Sequence, residues 1–321
     1  MMQMTHYMIL SIIMLFLVII LMMISVAFLT LFERKMMGLF HYRKGPNKTG
    51  LTGILQPFSD AMKLLSKEFF LPYKANLYLY LTSPMMMFIL ISLMWLIYPF
   101  MTNLINFNFN SLFFLSIMSM GVYSMMIMGW SSNSTFSMIG AIRSIAQSIS
   151  FEVTFAISLL IMMNMINSLN LINFFYYSKY LMLMFMFYPM IIILMISMLA
   201  ELNRTPFDLS EGESELVSGF NIEYGSSKFT LIFLSEYSSL LLMMMMLNMI
   251  FFNINMLNLK FYLNLILMIF FITWIRMTFP RIRYDKLMYL CWFFLLPFCL
   301  INYMMLLTFF KMPLDLIMIM N

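Results

Sequence analysis

Apolar runs of about twenty residues recur along this chain, at roughly 7–31, 81–101, 112–130, 144–166, 180–200, 229–252, 259–279 and 287–309. At about 1.5 Å of rise per helical residue, each is long enough to cross a hydrocarbon core of about 30 Å. No other feature constrains the fold so strongly, because a backbone in lipid must satisfy every N–H and C=O internally, which leaves only helices and closed barrels. Barrel strands would alternate polar and apolar residues, and these runs do not. Charged residues make up 10% of the chain, against about a quarter in a soluble protein. The predicted fold is therefore all-α: a polytopic membrane protein of about eight transmembrane helices, with residues 1–321 forming a single integral membrane domain.

An even number of spans puts both termini on one side, and the basic residues say which. Of the 18 Lys and Arg residues, all but Lys179, Lys260 and Lys311 fall in or beside the odd-numbered loops. This bias places those loops on the cytoplasm-like side. The even-numbered loops are short and rich in Asn. The N-terminus "MMQMTHYMILSIIMLF" has neither the basic flank of a secretory signal nor the Arg-rich character of a transit peptide, so it reads as the first span. With 44 methionines and no import signal, the chain reads as a product of an AT-rich organelle genome. Cys291 and Cys299 lie eight residues apart on one predicted helix, about 12 Å along its axis, too far for a disulfide between them.

The first loop, about 33–80, is the longest polar segment. Within it, "QPFSDAMKLLSKEFF" sets Phe58, Met62, Leu65 and Phe69 on one helical stripe, with Asp60, Lys63 and Lys67 opposite. At about thirteen residues this amphipathic helix is too short to cross, so it is expected to lie in the membrane interface. It reads either as a surface anchor or as the lip of an opening for a lipid-soluble molecule.

Six of the 13 acidic residues crowd into "ELNRTPFDLSEGESELVSGFNIEY": Glu201, Asp208, Glu211, Glu213, Glu215 and Glu223. Thr205-Pro206-Phe207-Asp208 reads as a helix N-cap with proline in the first turn, which would make Glu211 and Glu215 i, i+4 neighbours. Like charges at that spacing repel, so such a cluster titrates as a unit. Leu209, Leu216, Val217, Phe220 and Ile222 interleave with the acids, as in a segment tucked into protein. Two further acids sit at bilayer depth, where an ionisable group costs about 2.5–3.5 kcal/mol and is usually functional. Glu152 lies on a stripe with Ser144, Ser148 and Ala156, and Glu236 lies between Ser235 and Ser239.

The two histidines, His6 and His41, cannot supply the paired axial ligands of a di-haem cytochrome, and two cysteines cannot hold an iron–sulfur cluster. "RKGPNKTG" lacks the GK[ST] ending of a phosphate loop. The chain is expected to carry no redox centre, metal or nucleotide, with electrons supplied by a partner.

"FERKMMGLFHYRKGPNKTG" (32–50), "QPFSDAMKLLSKE" (56–68), "GWSSNS" (129–134), "AIRSIAQSISFEV" (141–153), the acidic segment (200–224) and "PRIRYDKLMYLCW" (280–292) together resemble the subunit 1 family of mitochondrial NADH:ubiquinone oxidoreductase, respiratory complex I. The likeness runs in order over nearly the whole chain. It implies a core subunit of the mitochondrial inner membrane, with both termini facing the intermembrane space. Such a subunit docks a peripheral arm through its matrix loops and forms part of a ubiquinone chamber. The first-loop helix and spans one and six would frame the entrance. The resemblance implies quinone-chamber or docking roles for Arg34, Arg43, Asp60, Arg204, Phe220 and Arg283. It implies proton-coupling roles for Arg143, Glu152, Glu201, Asp208, Glu211, Glu213, Glu215 and Glu236. Ubiquinone would be the substrate, and the partners would be other complex I subunits and membrane lipids, with no nucleic acid. Phe151 stands where the family usually has Tyr, Phe293 where a basic residue is usual, and Lys228 where small residues are commoner. Two other readings stay open: a stand-alone proton or ion transporter, and a structural anchor of the kind found in related hydrogenase complexes.

Overall fold

The computed structural model describes residues 2–99, 107–178, 187–210, 212, 219–252 and 258–308. Every regular element among them is helical. The chain opens with α1 (Met2–Phe40), followed by a short 3-10 turn (Leu51–Gly53) and α2 (Gln56–Ser66). Next come α3 (Leu77–Met94), α4 (Asn110–Ser131), α5 (Thr135–Ile166), α6 (Asn173–Ser178) and α7 (Tyr188–Glu201). A 3-10 turn (Gly219–Asn221) leads to α8 (Ser226–Phe251) and α9 (Leu259–Thr278). The last rod, Tyr284–Leu306, joins α10 (Tyr284–Tyr289) to α11 (Leu296–Leu306) through a π-helical turn at Leu290–Leu295.

Seven helices among the described residues are long and apolar enough to cross a membrane. The expected span at 180–200 is described only from residue 187, as the 14-residue α7. The rest of that expectation lies outside the described residues. Helices α8 and α5 form the centre of the bundle; Leu240 to Phe251 of α8 are buried without interruption. Around them, α1, α9 and the last rod turn large apolar side chains outward, with Phe16, Leu21, Leu267 and Phe293 all exposed. That distribution suits lipid as the surrounding solvent. Hydroxyls inside the bundle serve themselves: Ser144, Ser150, Thr154 and Ser158 each donate to the carbonyl three residues earlier, so a serine stripe costs no unpaired donor.

Two boundaries differ from the sequence reading. The fourth span begins at Thr135 rather than near 144, which places Arg143 within α5 and not in a loop. The added turns pack closely on small residues: a Cβ on Gly129 would stand 2.1 Å from Ala141 Cβ, and one on Gly140 would stand 3.1 Å from the Gly219 backbone. The amphipathic helix ends at Ser66, because Lys67 is extended, so Phe69 follows the helix. Phe58, Met62 and Leu65 are exposed on it as expected, and α2 lies against α1 and α8.

Candidate functional site

A cavity of about 220 Å³ opens between α3, α4 and α8. Methionines and branched residues of α3 and α4, including Met87, Ile91, Met94 and Met125, form its apolar wall. At its other end stand Glu201, Arg204, Asp208, Glu236, Tyr237 and Arg276.

The charged end is organised by Glu33, a residue that sequence reasoning passed over. Near the end of α1, it is 2% exposed. Tyr237 Oη of α8 donates to its carboxylate at 2.7 Å, and Nη1 of Arg204 and of Arg276 lie 3.4 Å from Oε1. The Arg204 guanidinium also sits 4.4 Å over the Tyr237 ring. One carboxylate thus ties together α1, the loop after α7, α8 and α9. Burial disfavours the Arg204 charge, but Glu33, Tyr237 and Glu236 outweigh it and hold its pKa above the ordinary guanidinium value. The signal available in the sequence was the "FERK" run at the end of a long apolar helix, read there as the start of a loop.

The turn after α7 is held by several independent contacts. Gln147 of α5, fully buried, donates from Nε2 to the carbonyls of Ala200 and Phe207, both at 2.7 Å. The Phe151 ring, also buried, packs against Phe207 at 5.8 Å between centroids. At this position the side chain supplies packing and no hydroxyl. Asp208 pairs with Arg281 at 3.0 Å, and the Ile282 N–H donates to the Pro206 carbonyl at 3.0 Å. These bonds correct one expectation: residues 205–210 form turns and not a capped helix. The Phe207 N–H bonds the Arg204 carbonyl at 2.8 Å and Leu209 N–H bonds that of Phe207 at 3.0 Å, so the backbone is satisfied without a helical ladder. Glu211, Glu213 and Glu215 lie outside the described residues.

The structure brings Glu201, Arg204, Asp208 and Glu236 to one cavity. Glu201 Oε1 is buried and makes no hydrogen bond among the described residues. Glu152 is half-buried on α5, outside the cavity lining but close enough for its charge to be felt at Glu201. Arg143 is half-buried on the same helix. Arg34 and Asp60 form an ion pair tying α1 to α2, and Gln56 Nε2 donates to Asp60 at 3.0 Å. Arg283 pairs with Asp285 at 3.0 Å in the open, Arg43 is exposed, and Phe220 is buried in the 219–221 turn. Those residues do not line the cavity. Lys228, in the first turn of α8, reaches the Leu81 carbonyl at 3.4 Å and sits 6.0 Å from the Phe69 ring centroid. Nothing in the structure explains Phe293 in place of a basic residue.

The NADH dehydrogenase family model matches residues 13–307. NADH-ubiquinone oxidoreductase chain 1 of Aedes aegypti is 48% identical over 288 residues, covering 90% of this chain and 92% of the relative. The proteins of the same name from Locusta migratoria and Anopheles quadrimaculatus are 47% and 50% identical, over 88% and 90% of this chain and 90% and 91% of theirs. With the family model spanning nearly every described helix and near-full-length relatives at about half identity, the chain belongs to the NADH dehydrogenase family of NADH-ubiquinone oxidoreductase chain 1 proteins.

Proposed function

We propose that this chain is the core membrane subunit of mitochondrial respiratory complex I that helps enclose ubiquinone and couples its reduction to proton translocation. Its partners are the other subunits of that complex, one of which delivers the electrons. Its odd-numbered loops face the matrix and its termini the intermembrane space. The names of its relatives supply the substrate pair, NADH and ubiquinone. The observation that carries the coupling role is the cavity, which gathers carboxylates and guanidinium groups inside the helix bundle, with Glu201, Arg204, Asp208 and Glu236 all on its lining.

At about 220 Å³ the cavity is smaller than the roughly 300–1,000 Å³ of a typical small-molecule site. Its size suits proton traffic better than the quinone ring and tail. The quinone instead enters beside α2, whose exposed Phe58, Met62 and Leu65 offer an apolar lip and whose Asp60 is held by Arg34. Reducing the quinone takes two electrons and two protons. That demand alters the charge beside the 201–210 turn and shifts protonation along Glu201, Asp208, Glu152 and Glu236, with Arg143 near the path. Glu211, Glu213 and Glu215 extend the same acidic run. Arg43 and Arg283, both exposed, serve the docking of the peripheral arm, and the buried Phe220 supports the chamber side of the 219–221 turn. The chain holds no redox centre in this reading, and its carboxylates act as coupling elements.

The test is Glu152→Gln in the intact complex. Protons moved per electron should fall while the complex still assembles. Unchanged pumping would remove Glu152 from the path and, if Glu236→Gln were equally silent, the coupling role with it.

A further inference from the structure

We infer that Gln147 is a positioning residue for the acidic turn, an inference that rests on the coupling role proposed above. A single stripe of α5 holds both ends of the acidic segment. Gly140 meets the backbone of Gly219 and Phe220 at its C-terminal end, where a Cβ would stand 3.1 Å from both. About two and three turns further along α5, Gln147 and Phe151 hold its N-terminal end at Ala200 and Phe207. The two Gln147 bonds are both 2.7 Å and span the carbonyls on either side of Glu201 and Arg204, with Asp208 the next residue.

The orientation of this amide is not ambiguous. Both of its neighbours are carbonyl oxygens, so the nitrogen must face them, and an oxygen in its place would repel both. Gln147 Oε1 makes no hydrogen bond among the described residues, so the side chain is engaged there through its donors. Gln147 bears no charge and does not line the cavity. It acts through Glu201, Arg204 and Asp208 by setting their distance from Glu152, which shares its helix. A side chain such as Ser144 or Ser150, bonded to its own helix, cannot do this. Interactions between ionisable groups depend steeply on separation in a low-dielectric interior, so a clasp on both flanks of the turn governs how strongly the acids feel one another.

The experiment replaces Gln147 with Met in the intact complex, keeping length and volume while deleting both donors. The complex should assemble, with the quinone KM within about twofold of the parent. Quinone turnover should fall on the order of tenfold, because misplacing groups by a fraction of an ångström is costly to the reaction, and protons moved per electron should fall with it. The carboxylic-acid band in the infrared difference spectrum between oxidised and reduced states should shift, which loss of packing alone would not produce. An assembled Gln147→Met complex with parental proton stoichiometry and an unshifted band overturns the inference. It leaves the coupling role standing if Glu152→Gln still lowers pumping. If the methionine variant does not assemble, Gln147→Asn decides, since its shorter amide reaches one carbonyl at most. Lowered proton stoichiometry in that variant supports the inference, and parental stoichiometry overturns it. Failure of both variants to assemble also overturns it, in favour of a purely structural role.

Discussion

The Tyr237 hydroxyl donates to the Glu33 carboxylate at 2.7 Å across 204 residues of sequence, and this contact is the shortest link in the buried charge centre. Arg204 and Arg276 approach the same carboxylate at 3.4 Å. Replacing Glu33 with Gln leaves Arg204 buried without its carboxylate, and breaking a buried pair from one side costs about 3–5 kcal/mol. Tyr237→Phe removes one bond to a charged group, worth about 1.5–3 kcal/mol. The yield and thermal midpoint of the assembled complex should therefore drop more for Glu33→Gln than for Tyr237→Phe. The reverse order would mean that the arginines do not depend on Glu33.

The pair between Arg34 and Asp60 behaves differently because both side chains reach solvent, at 46% and 34% exposure. Such pairs contribute under about 1 kcal/mol. Asp60→Asn should leave assembly intact while raising the quinone KM, as α2 loses its tether to α1. Leu65→Asp, on the exposed apolar stripe, should raise the KM further by weakening the seat of α2 in the interface. Steady-state kinetics over a series of quinone concentrations measures both.

Gly129 allows α4 and α5 to touch, since an added Cβ would stand 2.1 Å from that of Ala141. Gly129→Ala should destabilise the subunit by about 1–3 kcal/mol or more, as overpacked helix contacts do. The pair Gly129→Ala with Ala141→Gly should recover much of the loss in a thermal melt of the complex.

Tyr224 closes the acidic segment by stacking on Tyr80, with ring centroids 4.4 Å apart and planes 8° from parallel. Its hydroxyl lies 3.2 Å from the hydroxyls of both Ser83 and Ser131. Burial pushes the Tyr224 pKa up, against the opposite pull of its bonds to Ser131 and Ser83, so it stays neutral at physiological pH. Tyr224→Phe keeps the stack and should cost about 1 kcal/mol. Tyr224→Leu loses the ring pair as well, a further 0.5–1.5 kcal/mol or so. Neither variant should alter the pH profile of quinone reduction.

Much of the fold was legible before any coordinates. The helices at 110–131, 226–251 and 259–278 fall within about three residues of the apolar runs that foretold them. The start of α5 was not legible, because Arg143 and the serines of 131–137 read as a polar loop. Their surroundings are other helices, which the local sequence does not reveal. The 205–210 turn was misread for a similar reason: Thr-Pro-Phe-Asp suits a helix start, but Gln147 and the 281–283 segment offered its backbone other partners.

The candidate site divides in the same way. Glu201, Arg204, Asp208 and Glu236 stood out because charge is rare in so apolar a chain, whereas Glu33 and Gln147 did not.

What the sequence settled alone was that this is a bundle of membrane-crossing helices, since a helix in lipid must satisfy its backbone within its own segment and that is a local property. Which charges meet was decided only by tertiary structure. Glu33 finds Arg204, Tyr237 and Arg276 at separations of 171, 204 and 243 residues, and a buried charge is stabilised by whatever packing brings beside it, not by its neighbours in the chain.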